Sequence, residues 1–308
     1  MNILGIGNAI IDVLCKVPDE FLTKNSLTKS TMKLVDEKEF KKLLSSLKIE
    51  ETISGGSVAN SIVGLAQLGN NVGFIGKVNN DEFGQKYENG LINEKVKYLY
   101  EKKEEKIPTG SCLILITPDS ERTMCTFLGT AGKINDTDIK KEYIKSAEII
   151  FLEGYLWDEG DPKKAFDKAI MHSKKIAMSL SDLFCVNRHK PHFLELVKNQ
   201  LNIIFANEQE ILSLIDAKDF QEAVSFSKQI KKNIVITRGE RGAISVNGDE
   251  IIEVNAQTDL NIKDLTGAGD LFAAGYLHGV INNLDTKECL IKGTELSSKI
   301  IQKIGARI

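Results

Sequence analysis

The sequence predicts an α/β fold in which a parallel sheet is covered by helices and a smaller sheet projects from it. Short apolar strands alternate with helical segments through the second half of the chain, which is typical of parallel strands joined by crossover helices. In the first half, strand-like stretches follow one another without a helix between them. Such a run indicates a second, smaller sheet that could act as a lid.

The composition is that of an ordinary globular protein of 308 residues, long enough for one large domain or two smaller ones. Its 40 basic and 43 acidic residues are mixed along the chain and give a net charge of -3, so nucleic acid is not an expected partner. Apolar runs fall short of the ~18 residues that cross a membrane. The five cysteines form no Cys-x-x-Cys pair, which disfavours a zinc site. We expect a cytoplasmic protein with reduced thiols and no membrane partner.

The chain opens with a predicted buried strand over residues 2–6 that continues into a second extended segment. Gly5 and Gly7 form a Gly-x-Gly, but Ile10 stands where the dinucleotide-binding fingerprint needs a third glycine. A nicotinamide-dependent oxidoreductase is therefore disfavoured. Asp12 is the one charge in an apolar run, so it faces either solvent from an edge strand or a ligand hydroxyl.

A first glycine-to-helix junction follows at Gly55 and Gly56, which lead through Ser57 into an apolar helix. The glycines let the backbone approach a ligand closely. Asn60, one turn into the helix, can donate to and accept from a hydroxyl. The alternative is close helix packing with Asn60 in solvent.

The smaller sheet is predicted from stretches that flank a charged loop at residues 101–106. Its strands would be residues 97–100, 110–116 and 122–127. Arg122 opens the last of these strands, and on its position alone it would be a surface arginine.

The second half alternates strand and helix. We expect strands at residues 148–153, 175–179, 202–206 and 233–237, helices starting at Pro162, Pro191 and Asn207, and a last helix over residues 286–304. Ligands of such sheets bind beyond the carboxyl ends of the strands, which draws attention to Asn207 and Thr237. Asn207 and Glu210 have the spacing of a capping box; the alternative is that they hold hydrated Mg²⁺.

A second glycine-to-helix junction, residues 264–270, precedes another apolar helix. Gly267 and Gly269 can turn amide N–H groups toward one point at the positive end of that helix, which makes an anion site. Asp270 would bring a carboxylate to this site, where it could take a proton from a hydroxyl that attacks a phosphoryl group. The alternative is a glycine turn with Asp270 as an ordinary helix cap.

Taken together, these motifs resemble those of the ribokinase-like PfkB family of carbohydrate and nucleoside kinases. Residues 264–270 resemble the family's Asp-Thr-x-Gly-Ala-Gly-Asp motif, with Leu265 in place of the Thr. Residues 55–60 resemble its N-terminal substrate motif, residues 207–210 its Asn-x-x-Glu motif, and residues 237–239 its nucleotide-binding Thr-x-Gly. Four motifs in the family's order are more specific than any one of them.

The resemblance implies a single domain over residues 1–308, with a ribokinase-like, doubly wound and mostly parallel sheet flanked by helices. Its small β-sheet lid would be discontinuous and drawn from residues 11–35 and 97–128.

The resemblance also implies roles in phosphoryl transfer. Asp270 would be the base for a 5′-type hydroxyl, and Arg122 would move with the lid onto the phosphate. The anion hole would be formed by the amides of Gly267, Ala268, Gly269 and Asp270. A helix N-terminus lowers the pKa of an aspartate and phosphates raise it, so we expect a raised pKa for Asp270 only with nucleotide bound.

Further implied roles concern ATP and ions. Asn207 and Glu210 would hold Mg²⁺ through water, and Thr237 and Gly239 would contact ATP beside Thr266 and the anion-hole glycines. Asp264 and Thr266 match positions that bind a monovalent cation in some members, so K⁺ is a further expectation.

Within the family, residues 7–12 look most like the adenosine kinases. Asp12 and Asn60, beside Gly55, Gly56 and Ser57, would then hold ribose hydroxyls, and Asn8 would approach the base. Leu34 and Tyr155 are placed like residues that sandwich a purine, and an apolar clamp suits a flat base better than a sugar.

The expected reaction is ATP-dependent phosphorylation of the 5′-hydroxyl of adenosine or a related nucleoside. The alternative is a sugar kinase acting on ribose, fructose or 2-keto-3-deoxygluconate. A phosphosugar is disfavoured because the sequence shows no basic cluster near Asp12 or Asn60. The protein would be a monomer or a homodimer paired through the lid.

Overall fold

The computed structural model describes residues 1–119, 121–157 and 160–307. Its strands are β1 Ile3–Ile6, β2 Ile11–Lys16, β3 Met32–Leu34, β4 Glu51–Ser54, β5 Val72–Ile75, β6 Lys97–Tyr98, β7 Ser111–Ile116, β8 Arg122–Phe127, β9 Ile149–Glu153, β10 Ile176–Ser179, β11 Ile203–Asn207, β12 Asn233–Thr237, β13 Ala243–Asn247 and β14 Glu250–Val254. Its α-helices are α1 Asp19–Lys24, α2 Glu37–Leu44, α3 Ser57–Gln67, α4 Glu82–Asn93, α5 Lys141–Ser146, α6 Asp161–His172, α7 Leu183–Asn199, α8 Glu208–Ile215, α9 Phe220–Ile230, α10 Ala268–Ile281 and α11 Thr286–Ile300.

Within the described residues the main sheet has nine strands in the order β14-β13-β12-β11-β10-β9-β1-β5-β6. The strands from β12 to β6 pair in parallel, and the β13–β14 hairpin adds an antiparallel edge. The central strands β1, β5 and β9 are buried along their whole length, as expected for a sheet covered on both faces. The predicted α/β fold with a mostly parallel sheet is confirmed.

The second sheet has five strands among these residues, in the order β3-β8-β7-β2-β4, and we call it the lid sheet. Two details differ from the sequence prediction. Residues 97–98 pair with β5 in the main sheet rather than in the lid, and one of the two edge strands of the lid sheet is β4, which was not predicted. A two-residue strand carries too little pattern to show which sheet it joins.

Helix α7 begins at Leu183 rather than at the predicted Pro191. Asp182 caps its first turn by accepting a hydrogen bond from the Cys185 N–H, and the helix is interrupted by non-helical dihedral angles at His189. Pro191 therefore starts only the second half of the helix, because proline favours the first turn after a break. The last helix ends at Ile300, four residues before the predicted end.

The two sheets are joined at the places where substrate residues were predicted. Residues 7–10 connect β1 of the main sheet to β2 of the lid sheet, and Gly55 and Gly56 connect β4 of the lid sheet to α3. None of the helices in the described part of the chain is long and apolar enough to span a membrane. All five cysteines are free and buried.

Candidate active site

Two cavities meet at the start of α10. The first, of about 580 Å³, is lined by residues of the lid sheet and by the carboxyl ends of main-sheet strands. The second, of about 700 Å³, lies between the β12–β13 region and α11. They share lining residues at Thr237, Leu265, Ala268, Gly269 and Phe272. Both fall in the size range of small-molecule sites.

Asp270 lies in the first turn of α10 and lines the first cavity, next to Gly269, which lines both. Its carboxylate does not cap its own helix. Instead, Oδ1 accepts from the Ser57 hydroxyl at 2.6 Å and Oδ2 accepts from the Asn60 Nδ2 at 3.0 Å. The alternative of an ordinary helix cap is therefore wrong, because α3 holds the carboxylate in a fixed position across the site.

Burial raises the pKa of Asp270 to about 6, although hydrogen bonds from Ser57 and Asn60 and the charge of Arg307 lower it in part. The expectation that the pKa rises only with nucleotide bound is thus wrong. The helix end was expected to lower it, but withdrawal from water outweighs that effect.

The predicted anion hole would lie at Gly267, which caps α10 with a φ of 79° that favours glycine. In the described residues, the N–H groups of Gly269 and Asp270 donate to no backbone acceptor, as is usual for the first turn of a helix. The Ala268 N–H instead donates to the Leu265 carbonyl at 3.2 Å. Of the predicted amides, Ala268 is therefore already engaged and Gly269 and Asp270 are available.

Asp12 and Asn8, which were predicted to bind the phosphoryl-accepting substrate, line the first cavity. Asp12 lies on β2, an interior strand of the lid sheet, so the edge-strand alternative is wrong. Gly55 makes room for it, since a Cβ there would lie 2.3 Å from the Asp12 Oδ2. The Asn8 Oδ1 is buried and has no partner in the described chain, as expected of an acceptor that awaits a ligand donor.

Glu153, at the end of β9, is a site residue that sequence reasoning did not single out. It is 1% exposed, and its two oxygens accept from the Asn8 N–H at 2.8 Å and the Val58 N–H at 2.9 Å. Burial raises its pKa to about 7. Its one sequence signal is an acid at the end of an apolar strand, and its partners are far away in the chain.

Arg307 is a second residue that was not predicted. Its Nε donates to the Asn60 Oδ1 at 3.3 Å, and its charge, with that of Arg122, lowers the pKa of Asp12, which burial raises to about 7. The inference that no basic cluster lies near Asp12 or Asn60 is therefore wrong. Both arginines are remote from these residues in sequence, so no local pattern could show the cluster.

Arg122 is 12% exposed in its side chain and forms a 2.9 Å ion pair with Asp264, so it is not a surface arginine. Its Nη2 is buried without a partner in the described residues. The Asp264 carboxylate also accepts from the Thr266 N–H and hydroxyl and from the Gly305 N–H. Burial raises the pKa of Asp264, but these hydrogen bonds outweigh burial and hold the pKa below its usual value. Because both oxygens have donors, this conformation does not favour a K⁺ site at Asp264 and Thr266.

Asn207 and Glu210 line the first cavity and form the capping box of α8, with bonds of 2.8 and 3.0 Å between side chains and main-chain N–H groups. Burial raises the pKa of Glu210 to about 7. Among the described residues no group of three acidic, histidine or cysteine side chains could hold a metal directly. Each Glu210 oxygen accepts one bond from Asn207 and keeps a second lone pair, so the capping box is present and a water bound to Mg²⁺ could still donate to the carboxylate.

Thr237, at the end of β12, pairs with Asn207, at the end of β11. Thr237 and Gly239 both line the second cavity. Of the residues predicted to bind the nucleotide, Thr237, Gly239 and Gly269 line the second cavity, whereas Asn207, Thr266 and Gly267 line only the first.

The walls of the first cavity carry apolar side chains that are unusually exposed. Leu34 is 42% exposed and Tyr155 is 40% exposed, and both face the cavity as predicted. Met32 and Phe184, which were not predicted, are 39% and 55% exposed and line it too. Apolar side chains exposed in a cavity favour a ligand with an apolar face.

A carboxylate in one cavity, next to free N–H groups where a second cavity adjoins it, suits transfer of a phosphoryl group from one ligand to another. The protein is accordingly a kinase. Residues 30–308 match the pfkB family of carbohydrate kinases, and the chain belongs to that family.

Similar proteins include nucleoside and sugar kinases. The structure of adenosine kinase from Sinorhizobium meliloti is 34% identical and superposes with a TM-score of 0.90, covering 100% of this chain and 95% of that one. The structure of a "probable sugar kinase protein" from Rhizobium etli CFN 42 is 35% identical with a TM-score of 0.90, covering 99% of this chain and 94% of the other. Adenosine kinase of Saccharomyces cerevisiae is 26% identical over 332 residues, 97% of this chain and 94% of its own.

Proposed function

We propose that the protein transfers the γ-phosphoryl group of ATP to the 5′-hydroxyl of adenosine or a closely related nucleoside. The observation that carries this proposal is the apolar wall of the first cavity, in which Leu34 and Tyr155 line the same cavity as Asp270. A sugar offers hydroxyls and no π face, so it would leave these side chains uncovered.

In the proposed reaction Asp270 accepts the proton of the 5′-hydroxyl as its oxygen forms a bond to the γ-phosphorus. The bond from that phosphorus to the bridging oxygen of ADP breaks, and the N–H groups of Gly269 and Asp270 bind the charge on the phosphoryl oxygens. ATP would lie in the second cavity against Thr237 and Gly239. Mg²⁺, held through water by Asn207 and Glu210, would neutralise phosphate charge.

Arg122 would leave Asp264 and donate to the transferring phosphoryl group as the lid sheet closes. Its buried Nη2, which has no partner in the described residues, supports this role because an unpaired guanidinium N–H in a site favours an anionic ligand.

A sugar kinase is the second candidate, favoured by the Rhizobium etli relative. The deciding experiment measures ADP release from Mg-ATP with adenosine, inosine, guanosine, ribose, fructose and 2-keto-3-deoxygluconate, with and without potassium. We expect turnover with adenosine to exceed turnover with every sugar. Turnover with a sugar alone would overturn the nucleoside assignment and leave the phosphoryl-transfer residues in place.

Leu34→Ala tests the clamp in the same assay. The KM for the nucleoside should rise about tenfold, as expected for loss of a large apolar contact, while the KM for ATP stays within twofold. Met171→Ala, at a residue 74% exposed on α6, is the matched apolar control and should change neither. Equal effects of the two substitutions would contradict the clamp.

A further inference from the structure

The segment after α11, residues 301–307, passes beside Gly267 and ends against Asn60. The Gly305 N–H donates to the Asp264 Oδ2 at 2.7 Å. Ala306 then packs against Gly267, where an added Cβ would lie 2.8 Å from the Ala306 Cα. These two contacts hold the segment in place, so that Arg307 lies against Asn60.

Arg307 is held at Asn60 by the bond from its Nε, but its donors are not all used. The Arg307 Nη2 is buried and has no partner in the part of the chain that the structure describes. A buried N–H without a partner is costly, so a position of this kind favours a ligand that supplies an acceptor.

The charges around the Arg307 guanidinium come from several elements. Burial lowers its pKa, while Tyr87, Asp12, Glu94 and Asp270 raise it. Arg307 thus shares its surroundings with Asp12 and Asp270, and Arg122 also acts on Asp12.

Asn60, the residue expected to hold a ribose hydroxyl, has a protein partner at each polar atom. Its Nδ2 donates to Asp270 and its Oδ1 accepts from Arg307. It therefore positions Asp270 and Arg307. Its second Nδ2 hydrogen is not used by these bonds, so Asn60 and Arg307 can each offer one donor to a substrate hydroxyl.

We propose that Arg307 is an acceptor-binding residue whose free Nη2 donates to a ring hydroxyl of the sugar, while Asp12 accepts from the same hydroxyl pair. A guanidinium only donates hydrogen bonds and an ionised carboxylate only accepts them. Together they can pair with the oxygens and the hydrogens of two neighbouring hydroxyl groups. This inference rests on the proposed function and adds the residue that makes the site select ribose over deoxyribose.

The test compares kcat/KM for adenosine, 2′-deoxyadenosine and 3′-deoxyadenosine in the wild type and in Arg307→Ala. A site that donates to a hydroxyl rejects the analogue lacking it, so the wild type should prefer adenosine strongly, and the variant should lose at least about tenfold of that preference. The KM for ATP should stay within twofold. Arg307→Lys, which keeps the charge and loses the fork geometry, should recover part of the preference.

Lys303→Ala removes a charge from an exposed position of the same segment and is the matched control. It should leave the preference and the melting temperature unchanged.

An unchanged preference in Arg307→Ala, equal rises in both KM values with a lower melting temperature, or a gain in kcat/KM would each overturn the inference. The last result would mean that the segment blocks the site. If the wild type takes ribose rather than adenosine, the proposed function fails and the same ratio is measured with ribose and 2-deoxyribose. An inactive wild type would end both proposals.

Discussion

Gly56 and Gly267 each precede a helix and each adopts a positive φ, 99° and 79°, but the two helix starts have different partners. At α3 the Val58 N–H donates to the buried carboxylate of Glu153. At α10 no protein carboxylate takes that place, and the N–H groups of Gly269 and Asp270 stay free within the described chain. A helix start filled by the protein's own anion becomes a fixed support, whereas one left open can bind a ligand anion.

The largest expected effect comes from removing the carboxylate that we propose as the base, beside the open helix start. Asp270→Asn keeps the size of the side chain and removes its ability to take a proton, so kcat should fall about 10³-fold, within the usual range for a general base. Nucleoside binding, measured by calorimetry, should stay within a few-fold.

Asp219→Asn, at the N-cap of the distant α9, is the matched control and should keep full turnover. Wild-type turnover in Asp270→Asn would contradict the assignment of the base.

Gly269→Ala tests whether the open helix start must remain open. A Cβ at Gly269 meets no protein atom within 4 Å, so the fold should be kept, but the methyl group would occupy the approach to the free N–H groups. We expect kcat to fall about 10²-fold, as for loss of an oxyanion donor, with an unchanged melting temperature.

Gly56→Ala is the counterpart at the filled helix start. Its Cβ would lie 2.2 Å from the Asn8 carbonyl oxygen at a positive φ, so this variant should lose about 2 kcal/mol or more of stability. Similar losses of stability in Gly56→Ala and Gly269→Ala would contradict the view that the start of α3 is a fixed support and the start of α10 is open.

The pH dependence of kcat/KM should show an acid limb set by Asp270, whose pKa burial raises to about 6. The base works in its ionised form, so kcat/KM should fall as pH drops through about 6, by roughly tenfold for each further unit. The residual activity of Asp270→Asn should lack this limb. A wild-type limb near pH 4 would contradict the raised pKa.

Glu153→Gln removes the carboxylate at the start of α3, and it has the smallest expected effect on turnover. One of the two N–H groups at Glu153 loses its acceptor, so the KM for the nucleoside should rise about fivefold to tenfold. The pKa of Glu153 is raised from 4.5 to about 7, so the folded wild type binds more protons than the unfolded chain between these values and loses stability as pH rises through them.

The variant lacks this titration. Its stability relative to wild type should therefore improve from pH 4.5 to 7 in urea unfolding, and a constant difference would contradict the raised pKa.

The sequence predicts the parts of the site that carry a local pattern. Both glycine junctions, the Asn207 capping box and the alternating strands were found because small residues, caps and periodicity act over a few neighbouring positions. Leu34 and Tyr155 were placed by resemblance, and both line the first cavity.

The residues that were missed depend on distant contacts. Glu153 serves Asn8 and Val58, and Arg307 reaches Asn60 from the other end of the chain. The lid edge was misassigned because β4 and β6 are short and their sheet is chosen by the surrounding packing. Propensity is a weak guide where tertiary contacts decide.

The buried thiols provide built-in probes of ligand occupancy. Cys112 and Cys185 line the first cavity, whereas Cys15, Cys125 and Cys289 do not. Burial raises the pKa of Cys125 and of Cys289 to about 11, and it raises the pKa of the two cavity thiols further, so all four react slowly while the protein stays folded. A bound nucleoside would block a thiol reagent from Cys112 and Cys185 directly. It would slow labelling of the remaining thiols only by making unfolding of the whole protein rarer. The ratio of the two labelling rates therefore separates filling of the cavity from stabilisation of the whole fold.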